Sequence, residues 1–180
     1  MTTVGKITIK NHLKEPRFPL FIKGADLTCT DTNFIHVWVD GGGNCGPASL
    51  GVVVVDNNEV IMTFGAFLGR HNLTNNIAEL NAIYKGLRLV KHIKKPVKLY
   101  SDSKYALFSI CKLYNGNKNR ELINEVTEYV KTYPVQVEFI KVKGHSSLPY
   151  NEMADSIASW FLNENLGEGK QACKKKRKKS

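Results

Sequence analysis

Four acidic residues stand where a chain would put them to hold cations. Asp40 closes an apolar run, Phe34–Asp40 (FIHVWVD), and is followed at once by glycines. Glu79 falls in the first turns of a helical pattern, Asp102 directly follows the short apolar run Val97–Ser101, and Asp155 lies in the first half of a final helical pattern. A single acid at such a place is as often a turn former or a helix cap. Four converging acids are different, because clustered carboxylates repel one another unless cations occupy the site. Hard divalent cations such as Mg²⁺ or Mn²⁺ take oxygen ligands and leave positions for water and phosphate. Two such ions, roughly 3.5–4 Å apart, activate an attacking water and stabilise a leaving oxygen. A carboxylate set without Cys or His partners therefore points to phosphodiester chemistry rather than zinc hydrolysis.

These residues need a scaffold, and the patterning supplies one. Phe34–Asp40, Leu50–Asp56 and Glu59–Gly69 are β-rich runs. The Gly-rich stretch Gly41–Gly46 and Asp56-Asn57-Asn58 separate them, so an antiparallel three-strand meander is expected. Ile77, Leu80, Ile83, Tyr84, Leu87 and Val90 recur at helical spacing from Asn75 to about Ile93, with Thr74 or Asn75 as N-cap and Pro96 beyond the end. Val97–Ser101 reads as a buried strand whose end lies beside that of Asp40 if the two run parallel. Helices follow at Ser103–Leu113 and Arg120–Thr132, a strand at Val135–Val142, and a last helix at Pro149–Asn163 with Pro in its first turn. The order β-β-β-α-β-α-α-β-α predicts an α/β fold, a mixed five-stranded sheet flanked by helices.

The 180 residues suit one domain, expected over 34–166. Residues 1–33 read as an extension with one or two docked short strands, within Lys6–Lys10 and Phe18–Lys23. Residues 167–180 read as a polar tail without periodicity, expected to be disordered. No apolar stretch nears the roughly 18 residues of a membrane span, and the first residues are too often interrupted by Lys, Asn and Glu for a secretory signal. An intracellular protein is expected, cytoplasmic in a prokaryote, with the nucleus suggested by the basic tail. The four cysteines show no C-x-x-C pair, so reduced thiols are expected over zinc or disulfides. The net charge is +10, and six basic residues lie in Lys174–Lys179, which leaves +4 for the rest. That balance suits a polyanion. The tail has three readings: non-specific nucleic-acid attraction, nuclear targeting, or a solvated run; the first follows from its charge alone.

Four segments carry a resemblance. VWVDGGG (Val37–Gly43), LTNNIAELNAIYKGL (Leu73–Leu87), LYSDSKYAL (Leu99–Leu107) and VKGHSSLPYNEMAD (Val142–Asp155) resemble, in order, the signature blocks of type I ribonuclease H. The resemblance spans about Phe34 to Asn163. It implies the ribonuclease H-like fold and endonucleolytic cleavage of the RNA strand of RNA–DNA hybrids, with two metal ions, 5′-phosphate and 3′-hydroxyl products and little sequence preference. Residue by residue, it makes Asp40, Glu79, Asp102 and Asp155 the metal-binding carboxylates. His145 becomes the group assisting proton transfer or product departure, a task suited to a side chain titrating near neutrality. Thr74, Asn75 and Asn76 match backbone contacts in the minor groove, which an N-cap role does not preclude. Asn44 and Asn151 match positions touching the RNA strand, and Ser103 and Lys104 add a phosphate contact. The short Tyr114–Arg120 stretch implies a form lacking the basic handle of some members. A monomer is expected. Two rivals remain: a binding protein on the same fold whose site no longer cuts, and another nuclease of that fold, such as a recombinase or exonuclease.

Overall fold

The computed structural model describes residues 20–21, 29–43, 46–114, 118–144 and 147–166. The expected strand at Lys6–Lys10, the turn residue Asn44, His145 and the lysine tail lie outside these residues.

Five core strands and a two-residue strand form one sheet in the order β1-β6-β5-β2-β3-β4. They are β1 (Leu20–Phe21), β2 (Ile35–Gly43), β3 (Gly46–Asp56), β4 (Glu59–Leu73), β5 (Val97–Ser101) and β6 (Val137–Lys141). Strands β2, β3 and β4 form the antiparallel meander, while β2–β5, β5–β6 and β1–β6 pair in parallel. Helices α1 (Asn75–Val90), α2 (Lys104–Ile110), α3 (Arg120–Lys131) and α4 (Pro149–Leu166) complete the fold. None of the described helices is long and apolar enough to cross a membrane.

The central strands read as near-continuous apolar runs because both of their faces are covered. Val37 and Val39 of β2 and Leu50, Val52 and Val54 of β3 join Leu80, Ile83 and Leu87 of α1 in one core. The alternate residues, Trp38, Val53 and Val55, join Tyr100 and Ile140 and pack against Ala154 of α4 in the other. The period of two thus sorts each strand between two layers. Within the second core Trp38 and Tyr100 stack with ring centroids 4.0 Å apart, and the Tyr100 hydroxyl lies 2.8 Å from His36 Nδ1. Burial of such a ring pair removes a large apolar area from water.

Thr74 caps α1 by accepting from the Ile77 N–H at 3.3 Å, and the helix stops at Val90, before Pro96 removes any continuation. The glycines after Asp40 differ from the expected turn: Gly41, Gly42 and Gly43 continue β2, paired with Leu50, Ser49 and Ala48. The reason is the helix above them. A Cβ on Gly41 would lie 2.8 Å from Glu79 Cα, so only glycine lets the first turns of α1 rest on the strand.

Candidate metal and nuclease centre

Register brings the first two acids together. Trp38 pairs with Tyr100 across the parallel β2–β5 ladder. Asp40 and Asp102 each lie two residues beyond that pair, at the carboxyl ends of neighbouring parallel strands, where open α/β sheets bind ligands. The seating of α1 on Gly41 lowers Glu79 onto the same point. Asp40, Glu79 and Asp102 each offer a carboxylate oxygen, and these oxygens all lie within 4.8 Å of one another. From the opposite layer α4 brings Asp155, an exposed residue whose charge acts on Asp40.

The electrostatics of this cluster are those of a site built for cations. Asp40 is 7 % exposed and Glu79 4 %. Burial, then the charge of Asp102, then that of Asp155, push the Asp40 carboxyl up to about 8. Burial, Asp40 and Asp102 likewise hold Glu79 well above the ordinary glutamate range. The Gly41 backbone N–H opposes part of both effects by hydrogen bonding. Asn75 Nδ2 donates to Glu79 Oε1 at 3.3 Å, but the buried Glu79 Oε2 reaches no partner among the described residues. An orphaned buried carboxylate oxygen is costly, and a hard cation bound among these oxygens would satisfy it. The donor set therefore fits a divalent metal ion.

The other expected residues fall in three groups. Thr74, Asn75 and Asn76 are exposed at the start of α1, with the Thr74 hydroxyl engaged as its cap. Ser103 caps α2 through the Ala106 N–H at 3.1 Å, and Lys104 is exposed beside it, its Nζ 5.3 Å from the Phe108 ring centre. Asn151 lies in the first turn of α4, 3 % exposed, with its Oδ1 unpartnered among the described residues. Asn44 and His145 lie outside the described residues.

Two residues near the centre escape a reading of pattern alone. Gly144 passes so close to Asp102 that a Cβ would sit 2.7 Å from Oδ2. Lys141 ends β6 as an ordinary alternating strand residue, and only the β5–β6 register places it opposite Ser101, next to Asp102.

Comparisons with known proteins agree with this architecture. The RNase H family profile matches residues 32–162. The Ribonuclease H of Caldanaerobacter subterraneus subsp. tengcongensis is 31% identical over 154 residues, covering 77% of this chain and 97% of the relative. That of Orientia tsutsugamushi is 34% identical over 146 residues, covering 73% and 84%. Among solved structures, RNase H1 from the halophilic archaeon Halobacterium salinarum NRC-1 is 25% identical with a TM-score of 0.63, covering 72% of this chain and 98% of that one. LC11-RNase H1, solved in complex with an RNA/DNA hybrid, is 23% identical with a TM-score of 0.64, covering 74% and 99%. With the profile spanning both strands, the helix and the final helix that carry the four acids, the chain belongs to the RNase H family.

Proposed function

We propose that this chain is a type I ribonuclease H without a basic handle, which cuts the RNA strand of RNA–DNA hybrids internally and leaves 5′-phosphate and 3′-hydroxyl ends. The observation that carries this reading is the convergence of Asp40, Glu79 and Asp102 within 4.8 Å, with Asp155 near enough for its charge to act on Asp40. The names of the relatives and the hybrid bound to LC11-RNase H1 support the substrate class.

Two Mg²⁺ ions held by these four carboxylates, with Mn²⁺ as the alternative, would supply Lewis-acid stabilisation of the phosphoryl group and an activated water. The chain's own residues supply the rest. Asp40 and Asp102 fix the metal-binding oxygens on rigid strand ends, and Asn75 orients the Glu79 carboxylate. Thr74, Asn75 and Asn76 present amides and a helix N-terminus to the nucleic-acid backbone. Ser103 and Lys104 meet a phosphate on the α2 side, and Asn44 grips the RNA strand. His145, an imidazole of the kind suited to acid–base work at neutral pH, assists proton transfer to the leaving oxygen or departure of the product. Discrimination of RNA from DNA then comes from duplex shape and 2′-hydroxyls, with little base readout.

A hybrid labelled on each strand in turn and incubated with Mg²⁺ tests this. Internal cuts confined to RNA are expected, and Asp102→Asn should lower the rate by about 10²-fold or more, as losing one preorganised charge at a reacting phosphate does. Cleavage of the DNA strand would favour another nuclease activity. Undiminished hydrolysis by Asp102→Asn would remove the assigned centre.

A further inference from the structure

Lys141 is a cation at the rim of a centre that binds cations. It lies opposite Ser101 in the β5–β6 ladder, and Ser101 precedes Asp102. Its ammonium donates to the Val142 carbonyl, while the Val142 N–H donates to the Ser101 carbonyl at 3.0 Å. The chain beyond it then wraps Asp102 at Gly144. Lys141 is thus half-buried and held by the backbone carbonyl beside it. Burial disfavours its charge most and the like charge of Lys104 adds to that, while Asp102 and Glu79 favour it. Among the described residues it forms no ion pair with either acid. It is close enough to act through the field and too far to close the site.

A fixed ammonium and an incoming dication compete for the same carboxylate field, so the first weakens binding of the second. A phosphate reverses the balance, because it attracts both. We propose that Lys141 is a positioning residue that couples metal and substrate: its charge opposes cation entry into the bare centre and favours it once a phosphate backbone lies across the rim. The inference rests on the reading of the four acids as a metal-dependent nuclease centre. It adds a residue that sets the order of binding, with the nucleic acid strengthening the hold on metal.

The test is the charge-removing variant Lys141→Met in the 180-residue chain. Mg²⁺ alone is titrated without nucleic acid, followed by calorimetry and by the rise in Tm. Hybrid cleavage at saturating Mg²⁺ is measured separately. The variant should bind Mg²⁺ about threefold to tenfold tighter than the parent, the range a single unit charge produces at a partly screened rim. It should also show a KM for hybrid raised by a similar factor, with kcat changed less. Lys141→Arg, which keeps the charge, should return both quantities toward the parent. If the Met variant does not fold, Lys141→Gln carries the same expectation. Unchanged or weaker Mg²⁺ binding in the neutral variant, or no saturable binding by either protein, overturns the proposal. The metal titration contains no hybrid, so a failure to cut RNA would sink the functional reading while leaving the effect of Lys141 on Mg²⁺ separately measurable.

Discussion

Asp40 and Glu79 carry opposite obligations to folding and to metal. In the unfolded chain each ionises in the ordinary carboxylate range, whereas in the folded chain burial and mutual repulsion hold Asp40 up to about 8 and Glu79 well above its usual value. Between those limits the folded state therefore binds more protons than the unfolded state. Stability must then fall as pH rises, since the slope follows the protons bound by the unfolded state minus those bound by the folded. The contribution is fully present below about pH 4 and is lost as pH passes through about 8. Divalent cations reverse this, because they bind the ionised folded form. Metal-free protein should lose several degrees of Tm between pH 5 and pH 8.5, at about 2–4 °C per kcal/mol for a chain of this size. Added Mg²⁺ should restore most of the loss at the alkaline end, and Asp40→Asn should flatten the slope. Calorimetry across that pH series checks it, and a parent profile as flat as that of Asp40→Asn would contradict the assigned repulsion.

At the scale of elements, the site depends on how closely α1 can approach β2. Gly41 is a point of close approach, where an added Cβ would meet the α1 backbone at Glu79. Gly41→Ala would force the helix outward against a packed core, costing about 1–3 kcal/mol as overpacking does. Because Glu79 rides on that helix, misplacing it by about an ångström should cost kcat/KM about 10²-fold. Denaturant unfolding and steady-state kinetics together check this; a stability loss with unaltered kcat/KM would show that α1 relaxes without moving Glu79. The example also shows what the chain makes legible. Local pattern reveals β2, β5 and α1 and puts acids at their ends, since apolar periodicity and caps are written in neighbouring residues. It takes Gly41–Gly43 for a turn, because the reason for those glycines lies far along the chain in α1, and only the packed helix discloses it. Lys141 is hidden for the same reason, because its place beside Asp102 depends on the β5–β6 register.

At the scale of the whole molecule, the three parallel strands β2, β5 and β6 end along one edge, and nucleic acid would have to cross that edge to reach the acids. Only nine residues, Cys111 to Asn119, lie between α2 and α3, and the proposed form without a basic handle has no helix there to hold a duplex. The charge needed for grip must come from elsewhere, and its largest concentration is Lys174–Lys179, six cations in a row beyond the end of α4. Phosphate contacts release counterions, so each contact adds about 0.7–0.9 to the slope of log affinity against log salt. Removing residues 174–179 should therefore flatten that slope for hybrid binding by about one to three units, as expected when a few phosphates are no longer neutralised. Cleavage at low salt and saturating hybrid should be nearly unaffected, because the carboxylate centre is untouched. An unchanged slope would mean that the tail's charge never meets the substrate. Grip would then fall to Lys104 and the start of α1, whose own slope contribution the truncated protein would display undiluted.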